Sequence, residues 1–438
     1  MTLLTGWGRT SPSEARVVEP TTREELRRLV TSTPKAIARG TGRSYGDPAQ
    51  SAGATVISGL SLHALGSPGE VMRLGGGVSI DELLKVSVPA GWFVPVTPGT
   101  RFVTMAGAFA ADIHGKNHHR DGTFSQHVDE IAMMLADGSE VTAKRDDPVF
   151  AATAGGMGLT GIITSLQMRM RRIETSRIVV DTTRTNDLDS LLDAMLAADR
   201  HATYSVAWVD TLARGKHLGR AVLTTGEHAR RDDLPTRMRA NPLSYEPRQL
   251  LRTPAWMPNW ALGQFSVSAF NEVWFRKAPK QRQGEIQSIP AFFHPLDGVR
   301  DWNRIYGNRG FLQYQFVVAD TEVVRHALEK VSAAGCPVFL AVLKRFGPAN
   351  SSPLSFPMSG WTLTLDIPTS VPGLSHLLDE LDDEVVQAGG RVYLAKDSRM
   401  DPLHLPTMYP RLEEFRQVRQ RLDPHRRWRS DLSERLGL

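Results

Sequence analysis

Residues 38–47 read ARGTGRSYGD: three glycines, two arginines, a serine, a tyrosine and an aspartate in ten positions. The apolar AIA at 36–38 leads into it as a short strand. Glycine serves sharp turns and main chain that approaches a ligand closely. Consecutive N–H groups in such a turn form a concavity that holds phosphate oxygens. The stretch therefore predicts a phosphate-bearing ligand cradled by backbone.

Working outward, TTREELRRLVTS opens with a Thr cap and an acidic first turn and reads as a helix. ATVISGL and EVMRLGGGVS read as strands. SIDELLKVSVPAGW begins with a capping-box pattern, Ser79 to Glu82, and reads as a helix. VDEIAMMLADGSEVTAK predicts two strands around an Asp137-Gly138 turn, and LTGIITSLQMRMRRI alternates as a strand. From about 175 the texture changes. RIVVDTT, YSVAWVD, RAVLTTG, FLQYQFVV, PVFLAVLKRF and WTLTLDIP read as strands. LDSLLDAMLAADR, EVVRHALEKVSAAG and LSHLLDELDDEVVQAGG read as helices. Residues 229–300, rich in Pro, Arg and Trp, give no clear assignment. The sum is an α+β protein: a first domain over 1–174, a second over 175–390 built on a mostly antiparallel sheet, and a segment over 391–438 that returns to the first.

A chain of 438 residues with 41% hydrophobic and 23% charged residues has the balance of an ordinary globular protein. The one cysteine, Cys336, excludes an intrachain disulfide. MTLLTGWGRT has no charged n-region or long apolar core, and no apolar run is long enough to span a bilayer. A cytoplasmic protein, or one peripheral at a membrane, is expected. A net charge of +5 favours anionic small molecules or an anionic membrane surface. Basic residues are not interleaved with aromatics, so no nucleic acid is expected. The tail HRRWRSDLSERL reads as a solvated basic helix.

GMGLTG, with Gly156, Gly158 and Gly161, has dinucleotide-fingerprint spacing, but a strand follows where a Rossmann site needs a helix. A tight turn entering a strand is the expectation. HGKNHH places His114, His118 and His119 near one another, yet its glycine and asparagine disfavour a metal-sharing helix, and no metal is expected. There is no Walker A or HExxH. What remains is the opening stretch plus PGTRFVTMAGAFAADIHGKNHH at 98–119, dense in Gly and Ala. Two such segments without a Rossmann helix predict a dinucleotide wedged between two loops.

TGWGRT, ARGTGRSYGD, PVTPGTR, DIHGKNHH, GLTGII, FLQYQF, FGP, PLSFP and AKDSR occur in this order from end to end. In these the chain resembles the FAD-linked oxidases of the vanillyl-alcohol-oxidase type. The resemblance implies a PCMH-type FAD-binding domain and a substrate domain. It implies FAD contacts in the first turn from Arg39, Gly40, Thr41, Gly42, Arg43, Ser44, Tyr45, Gly46 and Asp47. Further contacts are implied at Gly99, Thr104, Met105, Ala106, Gly107, His114, Gly115, Lys116, Asn117, Ile163 and Tyr393. Relatives often tether the flavin through a histidine in the first turn; Arg43, Ser44 and Tyr45 stand here, so noncovalent FAD is expected.

The branch it resembles oxidises the 2′-hydroxyl of a polyprenylphosphoryl-β-D-ribofuranose to the 2-keto sugar. That is the first half of an epimerisation to the arabinofuranose donor of cell-wall arabinan. An NADH-dependent keto-sugar reductase would be the partner. Such an oxidation needs a base at the hydroxyl. Lys396 matches the family's active-site lysine; otherwise it is a surface lysine beside Asp397. His114 is the other candidate, as base, orienting group or buried satisfied histidine. Tyr45, Lys116, Gln315, Lys344, Thr362 and Thr364 are the implied substrate contacts. Gln313, taken to alternate onto the opposite face from Gln315, is the weaker candidate. Relatives of the mycobacterial type carry Asn and Cys where this chain has Thr362 and Thr364. The cysteine is the target of covalent nitroaromatic inhibitors, so resistance is expected. The change also keeps open a second substrate class: a soluble sugar, alditol or nucleoside. LRTPAWMPNWALGQF at 251–265 is read as a contact for the prenyl chain or a membrane surface, or as packed aromatics.

Overall fold

The computed structural model describes residues 1–254, 256–258 and 262–438. Three sheets carry the architecture. The first is mixed, with β1 (Thr2–Leu4), β2 (Ser13–Val18), β3 (Ala36–Arg39) and β4 (Thr55–Ser58) in the order β1-β2-β4-β3. β3 and β4 run parallel, so β3 delivers the glycine turn at the sheet's carboxyl edge. The second is antiparallel, with β5 (Val71–Gly75), β6 (Val128–Met134), β7 (Glu140–Lys144) and β8 (Ile162–Arg169) in the order β5-β8-β6-β7. The Arg23–Ser32 helix is capped by Thr22, whose side chain accepts from the Glu25 N–H. The Ile80–Ser87 helix has its full capping box. Each such cap is worth about 1 kcal/mol.

The third sheet has eight strands, all antiparallel: β9 (Arg177–Thr185), β10 (Tyr204–Val209), β11 (Ala221–His228), β12 (Gln281–Ser288), β13 (Phe311–Val318), β14 (Ala341–Phe346), β15 (Gly360–Pro368) and β16 (Arg391–Val392). Their order is β12-β9-β11-β10-β14-β15-β13-β16. Alternation fixes its two faces. Tyr314, Phe316, Leu363 and Leu365 are buried, and the helices Thr321–Ala333 and Leu374–Gln387 pack on these strands. Gln313, Gln315, Thr362, Thr364 and Asp366 occupy the other face, where Gln315 meets His114.

In the stretch without clear assignment, the structure has a helix, Gln264–Lys277, and the edge strand β12. QRQGEIQS carries no apolar alternation because its side chains are mostly solvated. It is a strand through its pairing with β9. The C-terminal tail also differs from expectation. Only Asp431–Leu436 is helical. Trp428 is fully buried, bridged to Ala36 at the edge of the first sheet, and held by Asp423, which accepts its N–H. The basic run before the helix is thus a strap over β3, not one solvated helix.

No helix among the described residues is long and apolar enough to cross a membrane.

Candidate active site

β3 ends at Arg39 and the chain turns at once. Gly42 takes φ +66, and a Cβ there would meet the Arg39 guanidinium. That guanidinium is fixed by the Ala49 and Thr5 carbonyls at 2.9 and 2.8 Å. Thr41 Oγ1 donates to the Phe102 carbonyl, tying the turn to the second glycine-rich segment. Among the described residues, the main-chain N–H groups of Gly40, Thr41, Gly42, Arg43 and Ser44 donate to no protein acceptor. All five residues line one cavity of about 970 Å³ between the glycine-rich segments and the eight-stranded sheet.

Its walls have a marked charge. Arg39, Arg43, Lys116, Lys277, Lys344 and Lys396 line it; among the described residues no Asp or Glu does. Arg43 lies over the Trp7 ring at 3.8 Å, and its Nε is buried without a partner. Gly99 lines the cavity, and a Cβ there would enter it without meeting any protein atom. Free amides in series, an unpaired guanidinium and a glycine bare toward open space fit a pyrophosphate-bearing dinucleotide such as FAD.

Other expected residues on the wall are Tyr45, Thr104, Ala106, Gly107, His114, Gly115, Ile163, Thr364 and Tyr393. Six stand behind it. A Cβ on Gly46 would collide with the Asp397 carbonyl, so this glycine lets the turn close on the Lys396 segment. Asp47 pairs with Arg435 at 3.0 Å. Met105 is core. Asn117 spends its amide on the Pro95 carbonyl and Asp121. Gln315 lies beneath His114, and Thr362 is fully buried beside it. Gln313 reverses the expectation. It is two residues from Gln315, so both share one face, and it is Gln313 that reaches the wall.

The three histidines diverge. His118 Nδ1 accepts from the Gly347 N–H, His119 turns to the Ala202 carbonyl, and only His114 lines the cavity. Burial first, then Lys344, Lys396 and His118, hold the His114 pKa well below its ordinary value, so the ring is neutral. Gln315 Nε2 lies 3.1 Å from His114 Nε2 and donates to Thr362 Oγ1. That amide assigns the ring proton to Nδ1, an atom buried without a partner. His114 is thus built to donate a hydrogen bond.

Lys396 is not a surface residue. Its Nζ lies 5.3 Å from the Tyr45 ring centre and 6.0 Å from that of Tyr393. Burial, reinforced by Lys344, lowers its pKa toward neutrality. Its neighbour Asp397 turns away to Arg435 at 2.9 Å. Lys116 is lowered to about 7 by burial and by Lys344, and its Nζ donates to the Phe292 carbonyl. Lys344 is lowered to about 8 by burial. The site therefore presents amines that neutral pH can leave unprotonated.

Sequence reasoning missed Gly76 and Trp302 on the wall, where Met157 and Gly158 also stand. Gly158 belongs to GMGLTG, which forms a turn into β8 with Met157 and Gly158 at positive φ. It also missed Asp366, whose carboxylate accepts from Gln313 at 2.5 Å. The signal was present: in TLTLD the two threonines and the aspartate alternate onto one face.

Comparison with known proteins agrees with the geometry. Residues 14–144 match the FAD binding domain family, and residues 345–436 match D-arabinono-1,4-lactone oxidase. The decaprenylphosphoryl-β-D-ribose oxidase of Mycolicibacterium smegmatis is 40% identical, over 99% of this chain and 97% of that one. An uncharacterized Streptomyces coelicolor protein is 39% identical over 82% of this chain and all of its own. The alditol oxidase of a Streptomyces species is 29% identical over 38% of this chain and 41% of its own. Fold, cradle and matches define an FAD-dependent oxidoreductase, of the vanillyl-alcohol-oxidase type. The chain belongs to the family of decaprenylphosphoryl-β-D-ribose oxidase.

Proposed function

We propose that the protein oxidises the 2′-hydroxyl of a polyprenylphosphoryl-β-D-ribofuranose to the 2-keto sugar. One observation carries this: a cavity with cationic walls and, among the described residues, no acid, that continues past Val206, Trp208 and Val222 of the sheet and Phe270 of the Gln264–Lys277 helix. A ligand with a phosphate and a prenyl chain matches both parts. FAD, held noncovalently by Arg39–Ser44 and Gly99 with Thr104, Gly107 and Tyr393 around it, supplies the hydride acceptor. The first turn has no histidine to tether it. Neutral Lys396 takes the hydroxyl proton. His114 Nδ1–H orients the ligand, and Lys116 and Lys344 balance the phosphate. Tyr45 and Thr364 shape the sugar's place.

The product is a ketone, so a partner reductase would complete epimerisation to the arabinose donor. Residues 229–309 hold thirteen Lys or Arg against seven Asp or Glu, an excess larger than that of the whole chain. Trp256, Phe265, Val273 and Trp274 are exposed in the same stretch, while Trp260 lies outside the described residues. Basic charge beside exposed aromatics favours docking on an anionic lipid surface.

Anaerobic addition of a short-chain prenylphosphoryl ribose should bleach the flavin band. If the band persists with that compound and bleaches with a soluble alditol, the second substrate class replaces the first. The partial match to alditol oxidase is what favours that reading.

A further inference from the structure

One aspartate beside the site stands where glycine is the ordinary residue. The Met105–Ala110 helix ends in a Schellman turn. The Asp112 N–H donates to the Phe109 carbonyl at 2.9 Å, and the Ile113 N–H to the Ala108 carbonyl at 3.0 Å. The residue after the cap in such a turn is left-handed and is usually glycine. Here it is Asp112, at φ +39. A Cβ in that conformation is strained, and glycine stands close by at 107 and 115. What glycine could not supply at 112 is the carboxylate.

That carboxylate is fully buried, and among the described residues three donors reach it. Oδ1 accepts from the Ser125 N–H at 3.0 Å; Oδ2 accepts from Asn350 Nδ2 and Ser355 Oγ, both at 2.6 Å. Asn350 Nδ2 also donates to Thr123 Oγ1 at 2.8 Å, and Thr123 is bridged to His114. The Phe124 N–H donates to the Ile113 carbonyl at 2.9 Å. Residues 112, 113 and 114 are thus each tied to 123–125. Ser355 precedes Phe356, whose ring centre lies 5.6 Å from that of His114, with Phe346 at 4.8 Å and Tyr393 at 5.3 Å. The Tyr393 hydroxyl donates to the Ala111 carbonyl at 2.8 Å, in the same turn.

We infer that Asp112 is a positioning residue for the oxidation: it fastens the turn before His114 to the 350–356 segment and so holds the imidazole in its aromatic box, with Nε2 against Gln315 and Nδ1 left for the ligand. The inference rests on the proposed role of His114. A helix stop alone would be served better by glycine, which takes the left-handed φ without strain. That contrast supplies the test.

Asp112→Gly in the flavin-loaded protein removes the carboxylate and relieves the backbone. Flavin content and the rate of bleaching by a short-chain prenylphosphoryl ribose are measured for this variant, for His114→Ala and for the two combined. Flavin should be retained, and bleaching should slow by about 10–10²-fold, as for a group misplaced by about an ångström. Once His114 is alanine, Asp112→Gly should cost little more, because the two act as one unit. Unchanged bleaching in the single variant, losses that multiply in the double variant, or loss of flavin would overturn the inference.

A second readout needs no substrate. Diethyl pyrocarbonate acylates a neutral imidazole at its lone-pair nitrogen, and in His114 that atom lies against Gln315. Labelling of His114, read by peptide mass spectrometry against the exposed His376, should rise severalfold in Asp112→Gly. If wild type fails to bleach but this labelling rises, the substrate is wrong and the Asp112 role stands; labelling that does not rise rejects the role whatever the substrate. If Asp112→Gly does not fold, Ser355→Ala replaces it. That variant removes one of the two donors to Oδ2 and leaves the turn intact, so His114 labelling should rise by less, and unchanged labelling again rejects the role.

Discussion

The glycine turn at 39–46 and the polar face of β13, β14 and β15 meet at one cavity and serve it by opposite means. The turn offers main chain, five N–H groups free among the described residues, while its Arg39 and Thr41 side chains are spent on the Ala49, Thr5 and Phe102 carbonyls. The sheet offers side chains, Gln313, Lys344 and Thr364, on a backbone whose hydrogen bonds go to adjacent strands. Main chain suits an invariant group such as a pyrophosphate, because no substitution except proline removes its donors. Side chains suit chemistry, because their proton affinity can be tuned by what lies beside them.

The largest effect should come from the side-chain half. Lys396→Ala should retain flavin and lower turnover by about 10²–10⁴-fold, the usual weight of a general base. Spectra and steady-state rates check both. Normal turnover would remove Lys396 from the mechanism.

Next is the cradle. Gly99→Val should abolish flavin binding and leave the melting temperature of the flavin-free protein unchanged, since a Cβ there meets only the cavity. Gly42→Val should lose flavin and stability together. Its left-handed φ and the Arg39 guanidinium stand against a side chain, so ligand obstruction is only part of its defect. Full flavin occupancy in Gly99→Val would move the dinucleotide away from this wall.

The two halves also differed in how they could be read. A cradle made of main chain is encoded by missing side chains, and three glycines in ten residues make that plain. The core strands and capped helices were legible for the same reason: their signals are local. The sheet face was legible only in part. Its polar positions alternate within strands that otherwise read as core, and which one reaches the cavity depends on the neighbouring strand. Alternation alone puts Gln313 and Asp366 on the polar face, but that they meet is visible only when β13 is laid against β15. β12 and the Trp428 strap were hidden because pairing partners far along the chain, not local pattern, make them extended.

A smaller effect concerns pH. Lys116 titrates at about 7 and Lys344 at about 8, against ~10.4 for an unfolded lysine. A group depressed on folding contributes stability above its unfolded value and loses it as pH falls through the folded one. The flavin-free protein should therefore melt progressively lower as pH drops from ~10 toward about 7. Lys116→Met should flatten part of that dependence. Bound FAD, by supplying negative charge to the cavity, should flatten it too. Equal slopes with and without flavin would mean that these lysines do not sense the bound anion.

The smallest perturbation is Thr364→Cys. Thr364 lies on the cavity wall with its backbone fixed between β13 and β14, and cysteine is close to it in volume. Flavin content and turnover should change little. What should change is reactivity. The native Cys336 is fully buried, with its thiol pushed up to about 11 by burial, so the protein should resist thiol reagents. The new thiol would face lysines that favour its thiolate. It should be labelled by nitroaromatic or maleimide reagents, with mass spectrometry locating the adduct, and bound substrate should slow the labelling. Labelling that substrate does not slow would place Thr364 outside the sugar's site and would leave the alternation of β15 as a feature of the fold alone.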